Sequence, residues 1–206
     1  MRSDTKTRIL KAGAGIVLQK GFFNTGLAEV LEKAKVPKGS FYFYFKNKED
    51  FGLQLIDLFA GYLASNAQGF YLNEKLSPLE KVRNLFKWQA ESFQKSDFKG
   101  GCPIGNLSLE MGDRNPAFRK KLNQVFVDLK KNLAKQLEQA KKVGELSEEI
   151  DVEETTDFIF NSWEGTLMQM KVSKSLTPHE VFDRMIFEKL LDKSRFNKNI
   201  IRRTSR

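Results

Sequence analysis

TGLAEVLEKAKVPKGSFYFYFKNK, residues Thr25 to Lys48, decides how this chain is read. Two short helical stretches flank a tight turn at Ala34-Lys35-Val36-Pro37, with Val36 expected to be buried between them. The first is expected over 26–35, with Thr25 as its N-cap, a hydroxyl that satisfies an orphan amide and can also face a phosphate. The second is expected over 38–45. There Phe41 and Phe45, four apart, turn inward, and Lys38, Ser40, Tyr42 and Tyr44 are left to face outward. Gly39 has no side chain and permits close approach of a sugar-phosphate. Lys46 and Lys48 follow the helix, where they can hold the flanking backbone. A helix-turn-helix whose second helix lies in a DNA major groove has this pattern. Most of these side chains would position that helix on phosphates, and few would read bases. The aromatics FYFYF also suit a core. Phe41 and Phe45 take that role, and Tyr42 and Tyr44 are assigned to phosphate.

Outward from this stretch, the periodicity is helical nearly everywhere, with no run of alternating apolar and polar residues and no Asn-Gly or Asp-Gly hairpin signal. The fold class is all-α, with about nine helices. Helix one is expected over 4–20, with Ile9, Ile16 and Val17 on one face and Gly21 as its stop. A long helix over 48–71 carries Phe51, Leu55, Leu58, Phe59 and Tyr62 at helical spacing. Ser77-Pro78-Leu79-Glu80 and Thr177-Pro178-His179-Glu180 both read as capping boxes with proline at the first helical position. Asn115-Pro116 opens a helix that Gly144 closes. Helices over 152–171 and 178–192 complete the chain, the first with Phe158, Ile159, Trp163 and Met170 and the second with Phe182, Met185, Ile186 and Leu190.

With 206 residues, 40% hydrophobic and 30% charged, the chain can bury a sizeable core. No apolar run approaches the ~18 residues of a membrane span, and the start MRSDTKTR lacks a signal-peptide apolar region, so a cytoplasmic location and no membrane partner are expected. One cysteine excludes an intramolecular disulfide, and one histidine beside it cannot build a zinc site, so no metal and no cofactor are expected. The formal charge of +9 divides into +5 over residues 1–50, −2 over 51–192 and +6 over 193–206. A basic front end beside a near-neutral body suits phosphate binding by one part of the molecule. Surface lysines that only maintain solubility would give the same count.

The stretch from Thr5 to Leu55, with ILKAGAGIVLQKGFFNTGLAEVLEKAKVPKGSFYFYF and then KNKEDF, resembles the N-terminal domain of TetR/AcrR transcriptional regulators. Pro37, Gly26 and Tyr44 depart from the residues frequent there, and bear on the operator sequence rather than on the role. The resemblance implies a DNA-binding domain over 1–50 and a helical ligand-binding and dimerisation domain over 51–192; the tail over 193–206, basic and without an apolar stripe beyond Ile200 and Ile201, is expected to be disordered. It also implies a homodimer built on roughly 152–192, where Ser162, Gly165 and Thr166 would let a second helix approach closely.

KGGCPIGNLSLEMGD, residues 99–113, resembles a subgroup of that family with a G-C-x-x-G-N-L-x-x-E segment, some of whose members sense electrophiles or oxidants through a cysteine. Cys102 is read as lying near a helix start, where amide dipoles would favour its thiolate. A small buried apolar residue is the other reading. Phe86, Phe93, Ile104, Leu107, Met111, Phe126, Trp163 and Met168 are candidate walls of a ligand pocket or plain core, with Asn106 and Glu110 as polar handles. Eighteen phenylalanines point to an apolar or aromatic ligand. The function expected is a homodimeric regulator, in the first instance a repressor, bound to a pseudo-palindromic double-stranded DNA operator and released by a small inducer. Two alternatives are a DNA-binding protein without a ligand switch and a thiol enzyme using Cys102. The second has only His179 as an imidazole base.

Overall fold

In a computed structural model, residues 2–193 are described; the tail read over 193–206 lies outside them except for Lys193. The elements are α1 (Arg2–Lys20), α2 (Leu27–Ala34), a 3-10 helix (Lys38–Phe43), α3 (Lys48–Tyr71), α4 (Pro78–Lys95), α5 (Pro103–Met111), α6 (Pro116–Lys142), α7 (Val152–Ser173) and α8 (Thr177–Met185). The last runs on into a π-helical turn, Ile186–Leu190. No strand occurs among the described residues.

Local chemistry explains most boundaries. Ser77 accepts from the Glu80 amide at 3.4 Å while the Glu80 carboxylate accepts from the Ser77 amide at 2.8 Å, so two orphan donors of α4 are satisfied reciprocally. Asn115 serves the amides of Ala117 and Phe118 ahead of α6, and Asp151 serves that of Glu154 in α7. Three sequence expectations need correction. Thr25 is not the cap of α2: Gly26 occupies that position without a side-chain bond, and the Thr25 hydroxyl donates backward to the Gly21 carbonyl at 2.6 Å. Thr177 is likewise the first residue of α8 rather than its cap, and Ser175 accepts from its amide at 3.0 Å. The segment after Pro37 winds as a 3-10 helix, because the Ser40 and Tyr44 amides bond three residues back to Pro37 and Phe41.

The described chain divides into two compact units. One comprises residues up to Ser65 with Gly100–Val127; the other comprises Asn66–Lys99 with the described residues from Asp128. The first buries Ile9, Ile16 and Val17 of α1, Val30 and Leu31 of α2, Phe51 and Leu55 of α3, Ile104 and Leu107 of α5, and Phe118 and Leu122 of α6. In the second, Phe86, Trp163 and Phe182 form an aromatic triad with ring centroids 4.8 to 5.2 Å apart. Leu133, Leu137, Leu146, Ile159 and Met170 pack in the same cluster. Arg83 ties α4 to α8 there by donating to both oxygens of Asp183, and this pairing raises the guanidinium's already high pKa. Tyr62, Phe158 and Met185, expected on apolar stripes, are exposed instead.

Candidate nucleic-acid interface

The candidate DNA-reading segment is built on a turn with a specific hydrogen-bond pattern. Lys35 adopts the left-handed conformation, φ 55°, while its amide bonds to Glu32 and that of Val36 to Leu31, both at 2.9 Å. Those two bonds make a Schellman motif, which normally favours glycine at the left-handed position. Val36 is buried beneath it. Arg8 of α1 donates to the carbonyls of Ala34 and Lys35 at 2.6 and 3.1 Å, so the end of α2 is pinned from a second helix.

After Pro37 the chain turns its aromatics to opposite sides. Phe41 and Phe45 are each 1% exposed and meet Phe51 of α3 with centroids 5.8 and 5.1 Å away. Three rings therefore anchor the segment on the first turn of α3. Tyr42 leans edge-on against Phe41 at 5.4 Å and stays exposed, and Tyr44 is half-buried. Lys38 and Gly39 are exposed, Ser40 is half-buried, and a Cβ added at Gly39 would meet nothing within 4 Å. The outer surface of this turn is thus open to a large ligand such as a phosphate backbone.

Phe43, to which the sequence assigns no role, shares this outer surface. It is 83% exposed, directly beside Tyr42, itself 70% exposed. Its position two residues from Phe41 and two from Phe45 places it on the opposite face, so the signal was present in the spacing. The remaining predicted contacts are placed as follows. Lys46 is exposed, its amide held by Asp50, whose carboxyl pKa is lowered by bonds from the Gln54 side chain and then from that amide. Lys48 is half-buried and donates to the Phe23 carbonyl at 3.0 Å; burial lowers its pKa, against an opposing attraction to Glu110. Thr25 is only 1% exposed.

The residues proposed for ligand binding fall in both compact units. Cys102, Ile104, Asn106, Leu107, Glu110, Met111 and Phe126 lie in the first, and Phe86, Phe93, Trp163 and Met168 in the second. Cys102 is the N-cap of α5, its sulfur accepting from the Gly105 amide at 3.3 Å. Asn106 donates to the Gly100 carbonyl at 2.9 Å. Phe86 and Trp163 stack at 4.8 Å, Phe93 meets Phe98 at 5.7 Å, and Met168 is exposed. Among the described residues no cluster of His, Cys, Asp and Glu could hold a metal ion, and no helix is long and apolar enough to cross a membrane.

Known proteins share this arrangement. Residues 9–55 match the family described as bacterial regulatory proteins, tetR family, and residues 78–186 match the tetracyclin repressor-like C-terminal domain. Transcriptional regulator AcuR of Cereibacter sphaeroides is 34% identical over 176 residues, spanning 85% of this chain and 80% of that protein. The HTH-type transcriptional repressor NemR of Escherichia coli K12 is 29% identical over 184 residues, 86% of this chain and 89% of the relative. A solved structure of a regulatory protein TetR from Rhodobacter sphaeroides superimposes with a TM-score of 0.83 at 33% identity, covering 88% of this chain and 96% of that one. These relatives are regulators rather than enzymes, which removes the thiol-enzyme alternative. The chain belongs to the TetR family of transcriptional regulators.

Proposed function

We propose that two copies of this chain pair and set their 3-10 helices into successive major grooves of a pseudo-palindromic operator, acting as a repressor until a small inducer releases them. The observation that carries this reading is the reading turn itself: Tyr42 and Phe43 project beside Lys38 and a sterically open Gly39, on a segment anchored by Phe41, Phe45 and Phe51. Lys38, Ser40, Tyr44, Lys46 and Lys48 contribute phosphate contacts around it. The exposed Phe43 ring offers an apolar partner to a thymine methyl group, one of the few apolar features of the major groove.

The second copy is inferred from α7 and α8. Phe158, Gly165, Met168 and Val172 recur at helical steps on the face of α7 opposite its buried stripe. Val172 is 79% exposed, a Cβ at Gly165 would meet nothing within 4 Å, and Val181 and Met185 of α8 are exposed as well. A two-fold pair through this face doubles the DNA contacts and matches half-sites one helical turn apart. The inducer is apolar, aromatic or electrophilic. It acts on the phenylalanine-rich body or on Cys102, and must prefer the released form by about 5.5 kcal/mol to shift occupancy from 99:1 to 1:99.

Selection of bound fragments from random duplex DNA tests this. One short pseudo-palindrome should be enriched, and Lys38→Ala and Tyr42→Ala should weaken its binding without changing the protein's mass in solution. Retention of every duplex alike, with affinity set by salt alone, would sink the reading.

A further inference from the structure

Glu110, on the last turn of α5, reaches a turn 87 and 88 residues earlier in the chain. Its Oε2 accepts from the Phe22 amide at 2.8 Å and its Oε1 from the Phe23 amide at 2.6 Å. Those amides belong to the link between α1 and α2, the scaffold that carries the reading turn. Gly21, with φ 84°, turns the chain immediately before them. A Cβ at Gly21 would stand 3.0 Å from both carboxylate oxygens, so any larger residue there would press on the Glu110 carboxylate as well as strain a left-handed backbone.

Other contacts gather at the same place. Lys48, at the start of α3, donates to the Phe23 carbonyl at 3.0 Å and lies 5.1 Å from the Phe22 ring. Phe118 of α6 meets the Phe22 ring at 5.0 Å, and Arg114 lies over the Phe23 ring at 5.0 Å. The far end of α5 is held differently. Its N-cap is Cys102, and the chain enters it through Gly100 and Gly101, both left-handed at φ 90° and 96°. Two consecutive glycines leave the backbone of this entrance with fewer steric restraints than any other residue pair would. Between this entrance and the carboxylate stands a nine-residue helix, about 13 Å long.

We propose that Glu110 is the positioning residue through which the state of α5 governs the DNA-reading segment. The inference rests on the regulator reading above and names its internal route. Paired bonds to two successive amides fix orientation as well as distance, unlike the exposed ion pairs Lys20–Glu29 and Lys121–Asp57, whose long side chains absorb movement. A displacement of α5 by about 1 Å carries both bonds past useful hydrogen-bond length. The α1–α2 turn then either follows α5 or loses its anchor.

The test uses the full chain, its selected operator and N-ethylmaleimide as a probe of the α5 entrance. The chain has one thiol, so alkylation is confined to Cys102: the sulfur bonds to one alkene carbon and the thiol proton passes to the other. In the unsubstituted protein alkylation should weaken operator binding at least about fivefold, whereas in Glu110→Gln, whose amide offers one acceptor oxygen and opposes the second N–H, it should change binding less than about twofold. Hydrogen exchange at Phe22 and Phe23 should quicken about tenfold in Glu110→Gln and leave the second unit unchanged. Glu110→Asp, too short to reach both amides, should behave alike and serves if the glutamine variant folds poorly. Equal losses on alkylation in the unsubstituted and glutamine proteins, no loss in the unsubstituted protein, or unchanged exchange at those amides would each overturn the proposal. Failure of the regulator reading is distinct: no duplex is then selected, while exchange still judges the anchor.

Discussion

His179 is the only imidazole in the chain, which makes its titration easy to assign. Its Nε2 is buried without a hydrogen-bond partner, and the ring stands edge-on to Trp163 at 6.1 Å. Burial lowers its pKa from 6.5, against Asp183, Glu180 and Glu91, which pull it up, while Lys87 adds to the lowering. The folded protein therefore binds this proton less readily than the unfolded chain. Its contribution to stability is complete above pH 6.5 and declines as the pH drops below it. Melting temperatures between pH 7 and 5 should fall, and His179→Gln should flatten that fall. At this scale the sequence was legible where spacing decided the outcome: Phe41 and Phe45 face inward because they are four apart and both apolar. Thr25 was not, since a threonine hydroxyl can serve an amide ahead or a carbonyl behind, and here it serves Gly21. Glu110 was read as a handle for a ligand, because nothing local reveals that two amides more than eighty residues away use both its oxygens.

Elements were legible where they are bounded by residues with one dominant local use. Ser77-Pro78 and Asn115-Pro116 mark true helix starts because a short acceptor sits where the first amides need one. The second proposed capping box failed because Ser175 is bonded to the amide of Thr177, which makes threonine the first helical residue. The two sites give a paired prediction. Ser77→Ala should cost about 1 kcal/mol in urea unfolding, whereas Thr177→Ala, which removes no cap, should cost clearly less. The 3-10 winding after Pro37 could not be foreseen from propensity, because it is held by three phenyl rings, one of which, Phe51, comes from the next helix. Likewise α3 was placed correctly over 48–71, yet Tyr62 on its expected stripe is exposed. A periodic pattern fixes a helix's length better than which of its side chains find neighbours.

For the molecule as a whole, the all-helical architecture followed from periodicity and the family from one stretch of about fifty residues, but pairing and ligand chemistry depend on surfaces that single-chain patterns do not define. The exposed face of α7 is the point of test: Val172→Glu should convert a dimer into a monomer in sedimentation experiments and cut operator affinity with it, leaving helix content intact. Phe43 has a thermodynamic corollary. On the proposed reading DNA covers the Phe43 ring, and the hydration that this ring carries in the unbound protein is released on association. Calorimetry of operator binding over a range of temperatures should therefore show a negative heat-capacity change. Covering roughly 150 Å² of ring contributes on the order of −0.07 kcal/mol/K per subunit, a share that Phe43→Ala should remove. A protein that holds DNA mainly by counterion release would in this way carry a solvent signature of a single side chain, and its grip would strengthen or slacken with temperature accordingly.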